Sequence, residues 1–362
     1  MVLMIYRSSK LRFLIIFVEM KLIRFLLFPI AVLFDLITSI RNLFFDWGFF
    51  KQHRFKLPVI VVGNLNVGGT GKSPQIEYLI RLLKDEYQIA ILSRGYKRKT
   101  KNFQIIDSNH TSEDVGDEPL QFYKKFDEVD VAVDFNRVNG INQLIKDVRP
   151  QLILLDDAFQ HRKVKGSLYI LLTKYNDLYS DDFVLPTGNL RESRRGAKRA
   201  DIIIITKCPQ NMTNKKRSSL VNKLKLLDKQ QIYFSSIKYD KFIYSNNNKL
   251  CLSNLKNTEI IVVTGIANPV PLLDHLSQNN IKFNHIKFPD HHNFSEKDFI
   301  KIKKMQGSLN TETKIVLTTE KDFVRFETLL NNLFYLPIQT VFLEEEEQFN
   351  DSIMNHIKNK ID

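Results

Sequence analysis

The run GNLNVGGTGKSP, from Gly63 to Pro74, decides how the rest of the chain is interpreted. The β-branched run LPVIVV comes directly before it and is typical of a buried strand. After it, apolar residues recur at the helical spacing of Ile76, Leu79, Ile80 and Leu83. A strand, a glycine loop and a helix in this order are the context in which a phosphate-binding P-loop occurs.

The glycines of this loop indicate a bound anion, because they let successive backbone N–H groups turn toward one phosphate at the positive end of a helix. We expect Lys72 to reach the β and γ phosphates of ATP or GTP, and the Ser73 hydroxyl to bind Mg²⁺. Asn66 stands where the generic motif has its first glycine, so a glycine-rich turn without nucleotide is the alternative. The predicted nucleotide-binding residues are Asn66, Val67, Gly68, Gly69, Thr70, Gly71, Lys72 and Ser73.

Short β-branched runs alternate with helical patterns from Leu57 to about residue 230, which favours a parallel sheet flanked by helices. The predicted fold class is α/β, a P-loop NTPase-like parallel-sheet domain with an N-terminal membrane-associated helix and a second, smaller α/β domain. The predicted divisions are 1–19 for a possible extension, 20–56 for the N-terminal helix, 57–230 for the P-loop domain, 231–250 for a two-stranded linker and 251–362 for the smaller C-terminal α/β domain.

Composition narrows the possible partners. The chain has 53 Lys plus Arg against 40 Asp plus Glu, a formal net charge of +13 that suits nucleic acid, an anionic membrane surface or a phosphorylated substrate. Cys208 and Cys251 lie 43 positions apart without a CxxC or a Cys/His cluster, which excludes a disulfide framework and a structural zinc site. Basic clusters around Tyr96 and after Arg191 come without a nucleic-acid-binding signature, so we expect anionic lipid and no nucleic acid.

The N-terminal segment combines apolar runs with cations. The apolar runs, Phe13 to Val18 and Phe25 to Phe34, are divided by Glu19, Lys21 and Arg24. A spanning helix needs about 20 predominantly apolar residues. The interrupted pattern therefore favours a helix that lies in the membrane interface, and a hydrophobic helix packed on the domain core is the alternative.

Asp156 and Asp157 end a second apolar run, QLILLDD. After a P-loop in a parallel sheet, such a pair could hold Mg²⁺ directly or through its waters, and an acidic turn or helix cap is the alternative. The guanine-reading pattern [NT]KxD does not occur in the sequence, which gives GTP less support than ATP.

Eight motifs in order resemble one known family. They are RFLLFPIAVLFDLITSIRNLFFDWG, VVGNLNVGGTGKSP, ILSRGYKRK, VGDEP, DDAFQHR, LPTGNLRES, FPDHHNF and LTTEKD, and they run from about residue 20 to residue 326. This pattern is similar to the tetraacyldisaccharide 4'-kinases of Gram-negative bacteria. Ala158 stands where that family usually has Gly, and Ser73 where it usually has Thr.

The resemblance implies an ATP- and Mg²⁺-dependent transfer of the γ-phosphoryl group to the 4'-hydroxyl of an acylated glucosamine disaccharide 1-phosphate, at the cytoplasmic face of the inner membrane. It implies that Asp117 acts on the acceptor hydroxyl, that His291 rather than His292 supports it, and that Lys72 and Arg191 are catalytic. It implies a metal site formed by Ser73, Asp156, Asp157, Gln160 and Glu192.

Four alternatives stay open at this level. Asp117 could cap the helix that begins after it, and the two histidines could be ordinary loop residues. The whole chain could also be a membrane-associated P-loop ATPase or GTPase that switches a protein partner, or a nucleotide-binding scaffold without turnover.

Overall fold

The computed structural model describes residues 24–246, 248–256, 258–309, 314–326, 330 and 332–361. The predicted extension at 1–19 lies outside these residues. The helices described here are α1 Phe28–Asp46, α2 Lys72–Leu83, α3 Ser112–Val115, α4 Asp117–Lys125, α5 Arg137–Asp147, α6 Asn214–Leu224, α7 Val270–Gln278, α8 Glu296–Gly307, α9 Glu320–Phe326 and α10 Glu346–Ile361.

The strands form two sheets. Their bounds are β1 Val59–Asn64, β2 Ile89–Ser93, β3 Gln104–Ile105, β4 Asp130–Val133, β5 Leu152–Asp156, β6 Leu168–Lys174, β7 Ile202–Thr206, β8 Gln231–Tyr239, β9 Phe242–Tyr244, β10 Lys249–Cys251, β11 Glu259–Thr264, β12 Lys282–Lys287, β13 Val316–Thr319, β14 Leu333–Leu336 and β15 Ile338–Phe342. The first sheet has the order β15-β8-β7-β6-β1-β5-β2-β4-β3, and the second has the order β10-β9-β14-β13-β11-β12.

The first sheet is the predicted parallel sheet, with antiparallel strands only at its two edges among the described pairs. Its central strand β1 is buried along all six residues. Side chains on alternate sides of β1 enter two different cores, since Ile60 packs with α2, α4 and α10 while Val61 packs with α5. Burial on both faces explains why β1 is a continuous apolar run.

The second sheet is the predicted smaller α/β unit. Strands β11, β12, β13 and β14 are parallel, and the hairpin β9-β10 adds to the β14 edge in antiparallel fashion. One face of the sheet is covered by α7 and the other by α8 and α9.

The predicted domain boundaries differ from the structure at two places. The predicted linker 231–250 is divided, because β8 belongs to the first sheet whereas β9 and β10 belong to the second. The predicted C-terminal unit does not extend to residue 362, because β15 pairs with β8 and α10 packs on the core of the first sheet. Pro337 separates β14 from β15, and a proline without an N–H cannot continue a strand ladder. The second unit is therefore an insertion into the first.

Helix α1 packs on the first unit through a narrow face that includes Ala31, Thr38, Asn42 and Phe45. Most of its apolar side chains are exposed, and these are Phe28, Ile30, Val32, Leu33, Leu36, Ile37, Ile40, Leu43 and Phe44. Within the described part of the chain, α1 is the one helix that is long and apolar enough to cross a membrane by length and composition. The helix thus packs on the domain core along one narrow face, as in the alternative, and also presents an exposed apolar face, as the interfacial helix requires.

Candidate active site

The P-loop joins β1 to α2 and contains all the predicted nucleotide-binding residues apart from Lys72 and Ser73, which start α2. Gly68 and Gly71 have φ values of 101° and 92°, in the left-handed region that favours glycine. Gly71 is the residue directly before α2, so the loop ends at the positive N-terminus of a twelve-residue helix. This is the geometry of a phosphate-binding loop.

Asn66 is fully buried, which gives a reason for an amide where the generic motif has glycine. Its Nδ2 donates to Asp182 Oδ2 at 3.1 Å, and its backbone oxygen accepts from Asn64 Nδ2 at 2.7 Å. The next residue also takes part, because the N–H of Val67 donates to the Asn189 carbonyl at 2.8 Å. These bonds fix the start of the loop to the segment that contains the LPTGNLRES motif.

Two cations hold Asp157 at the end of β5. Arg191 Nη1 donates to both carboxylate oxygens of Asp157 at 2.9 Å, and Lys72 Nζ lies 3.7 Å from Oδ1. Burial would raise the pKa of Asp157, but the charges of Lys72 and Arg191 outweigh it and lower the pKa. The structure thus brings together three predicted site residues, with Lys72 kept beside the loop.

Asp156 is the better candidate for direct metal ligation. Its Oδ2 accepts from Ser93 Oγ at 2.9 Å, while Oδ1 is buried and has no hydrogen-bond partner in the described structure. Burial, together with the nearby charges of Glu118 and Asp157, raises the pKa of Asp156 to about 7. A divalent cation bound to Oδ1 would give this oxygen a partner and would favour the ionised form of the Asp156 carboxylate.

The residues present fit Mg²⁺. Among residues 24–361, apart from the gaps in the described ranges, no group of three His, Cys, Asp or Glu could hold a metal by itself. Mg²⁺ in phosphotransferases is usually bound by one or two carboxylates with substrate phosphates and waters, so such a group is not required. Asp156 and the Ser73 hydroxyl would hold the ion against the nucleotide phosphates.

Glu192 and Gln160 lie in a buried hydrogen-bond network. Glu192 is fully buried, and its two oxygens accept from Arg199 Nη2 at 2.7 Å, Gln160 Nε2 at 3.1 Å and Asn42 Nδ2 at 2.7 Å. Gln160 Nε2 also donates to the Asn64 carbonyl at 2.9 Å. The network joins α1 to the start of the P-loop, and the roles of Glu192 and Gln160 as metal ligands stay predictions.

Asp117 and His291 come from the two different units and are in contact. His291 Nδ1 lies 3.0 Å from Asp117 Oδ2, and Lys321 Nζ lies 3.1 Å from His291 Nε2. Arg325 Nη2 also lies 3.0 Å from His291 Nδ1, so one carboxylate and two cations surround the imidazole. His291 has a φ of 58°, and its N–H donates to the Gly265 carbonyl at 3.0 Å. The second unit thus holds the ring at the Asp117 carboxylate.

His292 has a different partner. Its Nε2 lies 3.0 Å from Asp298 Oδ2, and Asp298 also accepts from Ser295 to cap α8. This geometry agrees with the choice of His291 over His292, although the catalytic role itself stays a prediction.

Arg325 also belongs to this cluster, although no sequence motif predicted it. Arg325 Nε donates to Asp117 Oδ1 at 2.7 Å, Nη2 contacts Oδ2, and Nη1 donates to the His292 carbonyl at 3.2 Å. Burial would raise the pKa of Asp117, but hydrogen bonds from Arg325 and His291 outweigh it and lower the pKa to about 2. Arg325 lies four positions after Lys321, just beyond the LTTEKD motif. Its closeness to that motif is the one sequence signal that could have pointed to this residue.

The fold and the site together define a P-loop nucleotide-dependent phosphotransferase. The features that define it are the sheet order, the P-loop, the lysine that starts α2 and the acidic pair at the end of β5. The family model for tetraacyldisaccharide-1-P 4'-kinase matches residues 23–358. The chain belongs to the tetraacyldisaccharide 4'-kinase family.

Individual relatives agree with this result. The tetraacyldisaccharide 4'-kinase of Flavobacterium johnsoniae is 51% identical over 346 residues, which cover 95% of this chain and 100% of the relative. The Bacteroides thetaiotaomicron protein of the same name is 43% identical over 352 residues, 92% of this chain and 93% of the relative. These comparisons confirm the predicted family and the ATP-dependent kinase activity that it implies.

A solved structure confirms the predicted fold class. The crystal structure of LpxK from Aquifex aeolicus in complex with ATP matches with a TM-score of 0.76 and 31% identity, over 92% of this chain and 99% of that chain. That match and the family support the predicted cofactor ATP, and Mg²⁺ is the metal that such a kinase family implies.

Proposed function

We propose that the chain transfers the γ-phosphoryl group of ATP to the 4'-hydroxyl of an acylated glucosamine disaccharide 1-phosphate at the cytoplasmic face of the inner membrane. The observation that carries the proposal is the Asp117–His291 contact between the two units. A switch NTPase needs a positioned water, whereas a carboxylate in contact with an imidazole is suited to accept the proton of an acceptor hydroxyl.

On the nucleotide side, the P-loop amides and Lys72 bind the β and γ phosphates. Arg191, which already contacts Asp157, supplies a second cation close to the acidic pair. Bound Mg²⁺ would neutralise charge on the transferred phosphoryl group, and Asp156 and Ser73 would hold it there. The role of these residues is therefore positioning and charge stabilisation.

On the acceptor side, the 4'-hydroxyl oxygen forms a bond to the γ phosphorus as the bond from that phosphorus to the β-γ bridging oxygen breaks. ADP leaves, and the hydroxyl proton passes to Asp117. A general base works best when its pKa lies near the working pH. Because the contacts of Arg325 and His291 keep the pKa of Asp117 near 2, the proposal requires Arg325 to move away from the carboxylate when the lipid binds.

The membrane part of the proposal rests on α1. Its packed residues extend from Ala31 to Phe45, and the contacts of Asn42 with Glu192 and of Asp46 with Arg162 tie its polar face to the kinase unit. A helix attached along most of its length cannot cross a bilayer without that unit. We therefore assign its exposed apolar face to the membrane interface, where anionic lipid would attract the basic chain.

The direct test is incubation with γ-labelled ATP and tetraacyldisaccharide 1-phosphate in anionic mixed micelles, followed by separation of the lipids. We expect a labelled bisphosphorylated lipid from the wild type and none from the Lys72→Ala variant. Release of labelled inorganic phosphate without a labelled lipid would contradict the proposal and favour a switch NTPase.

A further inference from the structure

Three charged side chains that the reaction does not use meet in the interior. Lys125 Nζ lies 2.6 Å from Glu77 Oε2 and 2.7 Å from Glu320 Oε1. Gln121 Nε2 donates to the other oxygen of Glu77 at 2.9 Å. Glu77 is 1% exposed and Glu320 8% exposed, so both carboxylates are almost completely removed from water. We call Glu77, Lys125 and Glu320 the buried triad.

Each member of the buried triad stands on a different helix, and each helix also carries groups of the active site. Glu77 lies on α2, which begins with Lys72 and Ser73. Lys125 is the last residue of α4, which begins with Asp117, and Glu320 is the first residue of α9, which contains Arg325. The triad therefore joins the nucleotide side, the acceptor side and the inserted second unit.

We propose that Lys125 is a positioning residue for phosphoryl transfer, which holds α2, α4 and α9 in the arrangement that brings Asp117, Arg325 and Lys72 to one cleft. The inference rests on the proposed function. Lys125 acts through the helices and does not touch the reactants. Buried ion pairs are costly to form and costly to break by removing one partner, so they specify one arrangement more than they add stability.

The charges around Glu320 make this arrangement sensitive to pH. Glu77 and Arg81 face it from α2, Lys125 from α4 and Tyr335 from β14. Its Oε2 is buried without a hydrogen-bond partner in the described part of the chain. Burial is the larger cause and the negative charge of Glu77 the smaller one, and together they raise the pKa of Glu320 to about 7. A raised carboxyl pKa stabilises the fold at low pH, and this contribution is lost as the pH rises through about 7.

The experiment compares kcat, the KM for ATP and the unfolding midpoint in the wild type, Lys125→Met, Lys125→Arg and Glu320→Gln. Lys125→Met should lower kcat by about 10²-fold, since misplacement by about 1 Å has an effect of that order, while the KM for ATP changes less than about threefold. Lys125→Arg should restore part of the loss. In Glu320→Gln, the fall of the unfolding midpoint between pH 5 and pH 8.5 should be smaller than in the wild type.

A matched control is Lys84→Met, which removes a surface lysine paired with Glu128 at 2.8 Å and should leave kcat and its pH profile unchanged. Because Lys125→Met leaves the buried carboxylate of Glu320 without its paired cation, while Glu77 keeps Arg81 at 3.5 Å, the variant could fail to fold. The variant with Glu77→Gln, Lys125→Met and Glu320→Gln avoids that charge and should fold, with the same loss of kcat.

A folded Lys125→Met or triple variant with wild-type kcat overturns the inference. A loss of kcat that accompanies an equal rise in the KM for ATP also overturns it, because a general weakening of the fold would produce that result. If the wild type itself forms no labelled lipid, the proposed function fails instead, so the two failures are distinguishable.

Discussion

Replacing Arg325 with methionine should reveal how strongly this side chain holds Asp117. The two side chains are 5% and 13% exposed, so water screens their contact weakly. The contacts of Arg325 and His291 outweigh burial and lower the pKa of Asp117 from 3.8 to about 2, which corresponds to roughly 2 kcal/mol of stabilisation at pH 7. The sign follows from the lowered pKa: this stabilisation is present above pH 3.8 and is lost as the pH falls through 2.

In Arg325→Met, burial acts on Asp117 with only His291 and Lys321 left to oppose it, so the pKa of Asp117 should rise from about 2. Protonation of Asp117 in the folded variant then begins at a higher pH than in the wild type, and it relieves the poorly paired buried charge as the pH falls. The deficit of the variant relative to the wild type should therefore be largest at pH 7, at roughly 2 to 5 kcal/mol, and smaller at pH 5. Urea unfolding of both proteins at several pH values measures this difference in the free energy of unfolding. Groups that titrate alike in both proteins contribute equally to the two values and drop out of the difference.

The matched control is Arg217→Met. Arg217 contacts Glu344, whose side chain is 60% exposed, so its removal should give a small deficit with little dependence on pH. A deficit in Arg325→Met that is constant with pH, or that grows on acidification, would refute the assignment of Arg325 as the group that controls Asp117.

Three further outcomes follow from the site. Lys72→Ala should abolish transfer with unchanged circular dichroism, because it removes the cation that follows the migrating phosphoryl charge; unchanged turnover would contradict the P-loop role. Asp117→Ala and His291→Ala should each lower kcat by roughly 10² to 10⁴, and the double variant should be little worse than the worse single one, so multiplicative losses would argue against a dyad. Replacing both Leu33 and Ile37 with glutamate should release the protein from anionic vesicles in a flotation assay without changing the affinity for ATP. Undiminished flotation of this variant would exclude the exposed face of α1 as the membrane contact.

The parts of the fold that sequence predicted best are those with a local signal. The alternation of β-branched runs and helical spacing predicted the parallel sheet, because a strand buried on both faces must be apolar throughout. The glycines of the P-loop predicted its turn, because Gly68 and Gly71 occupy backbone conformations that other residues rarely adopt. The acidic pair was predicted from its place at the end of a strand.

The parts that sequence missed depend on contacts between distant residues. Nothing local indicates that the chain returns to the first sheet after Pro337, since β14 and β15 are both short strands, of four and five residues, separated by one residue. Lys125 and Arg325 are charged residues on helices, a pattern typical of a solvated face. Their partners Glu77 and Asp117 lie 48 and 208 positions away. Only the fold brings these charges together.

The insertion of the second unit explains how two distant residues can form one site without a large rearrangement. The chain leaves the first sheet between β8 and β9 and returns at Pro337, and the Asp240 N–H donates to the Pro337 carbonyl at 3.0 Å. Two neighbouring connections of this kind suit a hinge, because a few residues at the ends of strands can absorb the change in backbone angles. Opening at this hinge must break the contacts of Arg325 with Asp117 and of Lys125 with Glu320. The contact of Lys125 with Glu320 would hold the two units together, whereas the contact of Arg325 with Asp117 must still be released before Asp117 can accept the hydroxyl proton, so closure and activation of the carboxylate are two separate steps.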